Sequence, residues 1–167
     1  MLGSQWNYLQ TTVDTKIQSI NTNYNNTFFT AFEFNHEVTS SSMKYYHRKK
    51  PISPPMSYYL DFNGGGTNFD AALNKATQII NNFSGENTYF YFITDGEDNW
   101  SNSTANAYVA AMNKVKQNCL GRTYCIQIDD SNQYYQGQFY RLCKHIGASY
   151  EKTTSVNLAF RVGKLPL

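Results

Sequence analysis

The chain has 167 residues and a formal net charge of +2, enough length for one domain with a real core and too little charge to argue for nucleic acid or a membrane surface. Hydrophobic residues make up 41% and aromatic residues 16%, which excludes a disordered polymer. No run approaches the roughly 18 consecutive apolar residues of a membrane helix, and the N-terminus lacks a charged-then-apolar leader pattern, so neither a membrane span nor a secretory route is expected from the chain as written.

After Ser4, an N-capping residue type, apolar residues at Trp6, Leu9, Val13, Ile17 and Ile20 fall at helical spacing. "TFFTAFEF", residues 27 to 34, predicts an aromatic-rich strand. "NHEVTSSS", 35 to 42, predicts a turn and a short polar strand returning antiparallel at a sheet edge. The basic, proline-rich "KYYHRKKPISPP", 44 to 55, predicts a surface excursion. Helical periodicity resumes at Ala72, Leu73, Ala76, Ile79 and Ile80. "TYFYFIT", 88 to 94, is almost continuously apolar, as expected of a central strand covered on both faces.

A polar loop then leads into a helix carrying Tyr108, Val109, Met112 and Val115. "TYCIQID", 123 to 129, predicts another buried strand. Phe139, Leu142, Cys143 and Ile146 mark a short helix, "ASYEKT" supplies a last strand, and Val156, Ala159, Phe160 and Gly163 give one face of a final helix. The order predicts a single domain over residues 1–167, an α/β doubly wound, mostly parallel sheet with helices on both faces. In such sheets ligands bind beyond the carboxyl ends of the strands, where the loops at 61–68 and 95–103 fall.

Those two loops carry the chemistry. "DFNGGGTNFDAAL" sets Gly64, Gly65 and Gly66 directly before Thr67, suiting a bend that aims a hydroxyl. "FYFITDGEDN" launches Asp95 from a strand end, with Glu97 and Asp98 behind it. Taken singly, Thr67 reads as a helix N-cap and the acids as loop carboxylates favoured by a helix dipole. Together, a hydroxyl and a carboxylate on neighbouring loops suit a hard cation such as Mg²⁺.

"GGGTNFDAALNKA", followed about two dozen residues later by "YFYFITDGEDN", resembles the von Willebrand factor type A domain, and the order of elements agrees along nearly the whole chain. "MLGSQW" is similar to the start of that family's first helix. The resemblance implies a Rossmann-like fold and a metal-ion-dependent adhesion site, in which Thr67 and Asp95 are Mg²⁺ ligands and a partner protein's acidic side chain fills the open coordination position. It implies protein–protein interaction, adhesion or scaffolding, without turnover. The family's Asp-x-Ser-x-Ser loop would fall immediately before Met1, together with the first central strand. Both are missing here, so an N-terminally truncated domain with an incomplete site is expected. Family members inside cells sit in multiprotein assemblies, which makes a cytoplasmic or other intracellular complex the expected location; an upstream signal peptide would make it extracellular.

The competing enzyme reading is a Mg²⁺-dependent phosphohydrolase using Asp95, with Glu97 or Asp98 as second acid. It lacks an Asp-x-Asp after a first strand and a lysine placed to clamp phosphate. The basic stretch Lys44, His47, Arg48, Lys49 and Lys50 reads as solvated surface. His36, His47 and His145 have no metal-ligand spacing, and no nucleophile elbow is present. Cys119, Cys125 and Cys143 form an odd set without a Cys-x-x-Cys pair and predict buried, reduced thiols. Asn-x-Ser/Thr triplets at Asn25, Asn82, Asn99 and Asn102 follow from an Asn-, Ser- and Thr-rich composition and do not argue for secretion.

Overall fold

The computed structural model describes residues 3–24, 27–35, 38, 44–47, 66–82, 88–95, 113, 115, 117, 119, 121–131 and 137–166. Along the chain lie α1 (Gly3–Asn23), β1 (Phe28–Ala31), β2 (Lys44–His47), α2 (Phe69–Asn81), β3 (Phe90–Thr94), β4 (Thr123–Ile128), α3 (Gln138–His145), β5 (Ser149–Thr153) and α4 (Leu158–Gly163). Asn113, Val115 and Gln117 are also helical, within the stretch where a helix is expected. Tyr108, Val109 and Met112 lie outside the described residues.

Strands β3, β4 and β5 form a parallel sheet in that order, with Phe92 opposite Cys125 and Cys125 opposite Tyr150. All six residues of β4 are buried. This corrects the expectation for 88–94: among the described strands the central position belongs to β4, and β3 is an edge of its sheet. The continuous apolar run of β3 is still used on both faces. Phe90 and Phe92 pack with α2 and α3 around Phe69, Leu73, Phe139 and Leu142, while Ile93 joins Ile126, Ile128, Leu158 and Val162 on the opposite face. Helices therefore cover both faces, the doubly wound arrangement expected.

β1 and β2 form a separate antiparallel pair, with Phe29 opposite Tyr46. The described strand returning antiparallel is Lys44–His47, inside the stretch expected to be a surface excursion; most of the polar stretch 35–42 lies outside the described residues. Two consecutive tyrosines favour a pleated strand more than the Ser-rich run before them.

Helix α1 forms where the spacing predicts it and buries polar residues as well. Gln5, Thr12, Lys16, Ile20 and Asn21 are buried, whereas Trp6, Leu9, Val13 and Ile17 are half-buried. The polar groups are satisfied by specific bonds: Thr12 Oγ1 donates to the Tyr8 carbonyl at 2.7 Å, and Lys16 Nζ to the Leu165 carbonyl at 2.6 Å. Burial lowers the Lys16 pKa from its ordinary value. The Tyr91 hydroxyl donates to the Pro166 carbonyl, so the end of α4 is tied to both α1 and β3.

α3 stops at a glycine. Gly147 has φ 70, its N–H donates to the Lys144 carbonyl at 3.2 Å, and Ala148 N–H reaches the Cys143 carbonyl at 2.8 Å. That is a Schellman ending, which needs the left-handed backbone only glycine adopts freely. The three cysteines are free and buried, as expected. Burial pushes the Cys119 thiol up to about 11, leaving it inert at neutral pH.

Candidate functional site

Thr67 precedes α2 and is half-buried, but it is not the helix cap. Asn68 takes that role: its backbone is extended at φ −125 and ψ 94, and its Oδ1 accepts from Ala71 N–H at 3.0 Å. Asn68 N–H also donates to the Asn35 carbonyl at 2.8 Å, which fastens the start of α2 to the chain beyond β1. The capping explanation for Thr67 is therefore taken by its neighbour. Gly66 is described beside it; Gly64 and Gly65 lie outside the described residues.

Asp95 follows Thr94, the last residue of β3, in a half-buried bend. Phe69 at the start of α2 meets Phe92 of β3 at a ring-centroid distance of 5.4 Å, and Phe139 at the start of α3 at the same distance. These contacts seat the first turns of α2 and α3 on β3, with Thr67 two residues before Phe69 and Asp95 three after Phe92. Glu97 and Asp98 lie outside the described residues.

A second carboxylate group stands at the carboxyl end of β4, which the sequence reading passed over. Asp130 accepts from Ser155 N–H at 2.7 Å, Ser155 Oγ at 2.9 Å and Gln5 Nε2 at 2.9 Å. Asp129 pairs with Lys152 and accepts from Ser131 N–H at 2.8 Å. The Ser155 amide, first among its donors, holds the Asp130 pKa below the ordinary value; the Lys152 bond does the same for Asp129. Asp130 joins the first turn of α1 to the ends of β4 and β5. In the sequence, "IDDS" at the end of an apolar strand is the signal that could have found it.

Among the described residues at this edge are the Thr67 hydroxyl, the Asp95, Asp129 and Asp130 carboxylates and the Lys152 amine paired with Asp129. Among the described residues, no group of three or more His, Cys, Asp or Glu side chains could hold a metal ion. Thr67 and Asp95 supply one hydroxyl and one carboxylate, short of the near-octahedral oxygen shell that holds Mg²⁺ tightly.

The architecture defines the class first: an open, doubly wound α/β domain whose loops gather at the carboxyl edge of a parallel sheet. Within that class the fold is that of the von Willebrand factor type A domain. The chain is similar to a solved von Willebrand factor type A structure from Catenulispora acidiphila, with a TM-score of 0.60 and 15% identity, over 94% of this chain and 37% of that one. At this identity the likeness shows the fold alone, and this chain spans little more than a third of its counterpart. No protein-family model matches the chain, and no curated protein matches it in sequence. No helix among the described residues is long and apolar enough to cross a membrane.

Proposed function

We propose that this domain is a protein–protein interaction module, acting in adhesion or as a scaffold, and that it binds without catalysing turnover. The single observation carrying this reading is the von Willebrand factor type A fold, with Thr67 and Asp95 on the loops before α2 and after β3. Thr67 and Asp95 are this chain's contribution to a Mg²⁺-dependent contact. A partner protein's acidic side chain and water complete the oxygen shell, and the incomplete set in this chain makes metal affinity low in the partner's absence.

The test is binding of an immobilised glutamate-containing peptide in Mg²⁺ and in EDTA, with wild type, Thr67→Ala and Asp95→Ala. Metal-dependent binding weakened at least tenfold in both variants supports the proposal. Binding indifferent to metal and to both substitutions assigns the domain a scaffold role without a metal. The alternative, a Mg²⁺-dependent phosphohydrolase using Asp95, predicts steady-state hydrolysis of p-nitrophenyl phosphate that Asp95→Ala abolishes.

A further inference from the structure

Helix α4 has two unlike sides. Leu158 and Val162 are buried with Leu9 of α1 and with Ile126 and Ile128 of β4. On the other side Phe160 is 59% exposed, and Val156, in the turn that leads into the helix, is 67% exposed. These are the two most exposed large apolar residues among those described. Asn157 N–H donates to the Thr154 carbonyl at 3.1 Å and Leu158 N–H to the Ser155 carbonyl at 3.2 Å, which continues the helix backwards through Val156. Val156, Phe160 and Lys164, all exposed, therefore follow one another at a spacing of four along the outer side.

That outer side is held in place by bonds from elsewhere in the fold. Asp130 accepts from both the N–H and the Oγ of Ser155, the residue next to Val156. Arg161 Nε pairs with Glu151 Oε1 at 3.2 Å and ties the helix to β5. Lys164 Nζ stands 4.0 Å from the centroid of the Phe160 ring, and Arg161 Cζ stands 6.0 Å from it. An exposed ring thus carries two cations. Glu151 answers Arg161, whereas Lys164 makes no ion pair among the described residues.

A solitary exposed apolar side chain needs no explanation. Two at helical spacing on an ordered turn, one of them stacked against an unanswered ammonium, form a small pre-ordered contact surface of the kind that lowers the entropic cost of binding. Charge decides the occupant. Two cations, Arg161 and Lys164, against the single carboxylate of Glu151 leave one positive charge in excess. A second copy of this face would bring like charges together, whereas an acidic segment meets Lys164 with the opposite sign.

We infer that the outer side of α4 docks an acidic, apolar peptide segment of another protein. Its apolar side chains cover Val156 and Phe160, and a neighbouring carboxylate pairs with Lys164. The surface uses neither Thr67 nor Asp95 and needs no metal ion.

The experiment is an amide NMR titration of the full chain, in EDTA, with the blocked peptide Glu-Glu-Leu-Phe-Glu-Glu. Saturable shifts at Val156, Phe160 and Lys164 are expected. Affinity should fall at least tenfold for Gln-Gln-Leu-Phe-Gln-Gln, which lacks the charge, and for Glu-Glu-Ser-Ser-Glu-Glu, which lacks the apolar pair. Phe160→Ser and Lys164→Glu, at exposed positions and checked for folding by circular dichroism, should each weaken the acidic peptide at least tenfold. With EDTA present, the outcome is separate from that of the Mg²⁺-dependent contact. The inference is overturned if these amides show no saturable shift, or if both variants bind as wild type does. It is equally overturned if the shifts arise from self-association without peptide, or if phosphatidylserine vesicles bind through Phe160 and the peptide does not.

Discussion

Phe34 and Phe92 meet edge to face at 5.3 Å, although the strands that lead to them share no ladder. The contact is therefore made by side chains alone, and it joins the β1–β2 pair to the three-stranded sheet across the aromatic cluster. Replacing Phe34, half-buried, should loosen the β1–β2 pair more than the sheet. Phe34→Ala is expected to raise hydrogen exchange in 28–31 more than in 123–128, measured by mass spectrometry.

Phe69 is fully buried and touches Phe34, Phe92 and Phe139. Its truncation empties the middle of the cluster. Phe69→Ala should cost about 3–5 kcal/mol in urea unfolding. Tyr8→Ala, at a 44% exposed position on α1, should stay within about 0.5 kcal/mol of wild type.

At the start of α2 the two neighbouring polar residues should separate cleanly. Asn68→Ala removes the cap and should cost about 1 kcal/mol. Thr67→Ala, one position earlier, should cost distinctly less stability and yet weaken Mg²⁺-dependent partner binding. Equilibrium unfolding of both variants, alongside the peptide-binding assay, checks the pair.

Asp130 and Asp129 both have pKa values lowered in the folded chain from the ordinary 3.8. A carboxylate with a depressed folded pKa binds fewer protons folded than unfolded just below its ordinary value. Its contribution to stability is therefore complete above that value and is lost as pH falls through the folded value. Asp130→Asn should reduce the loss of unfolding free energy on acidification below about pH 4, measured by urea titration across pH. Gln5→Ala and Ser155→Ala should each destabilise by less than Asp130→Ala, which strands three donors at once.

The helix–strand order and the cover on both faces were legible because apolar periodicity reports burial directly. Which strand is central was not, since "TYFYFIT" is equally apolar whether a neighbour pairs with its edge or only helices cover its faces. The burial of Lys16 and Gln5 escaped the pattern for a related reason: each bonds to a distant partner, Leu165 or Asp130, and no local spacing encodes a contact more than a hundred residues away. Thr67 and Asp95 stood out because glycines precede one and an apolar strand the other. Asp130 has the same strand-end frame, but its partners Gln5 and Ser155 lie 125 and 25 residues away.

The most direct measurement is a Mg²⁺ titration of the full chain followed by amide NMR, in wild type and Asp95→Ala, with the glutamate-containing peptide present. Saturable shifts shared by Thr67, Asn68 and Asp95, lost on Asp95→Ala and unaccompanied by hydrolysis of p-nitrophenyl phosphate, are the predicted result. Phosphate release that requires Asp95, or the absence of any saturable shift at these three amides, would contradict it.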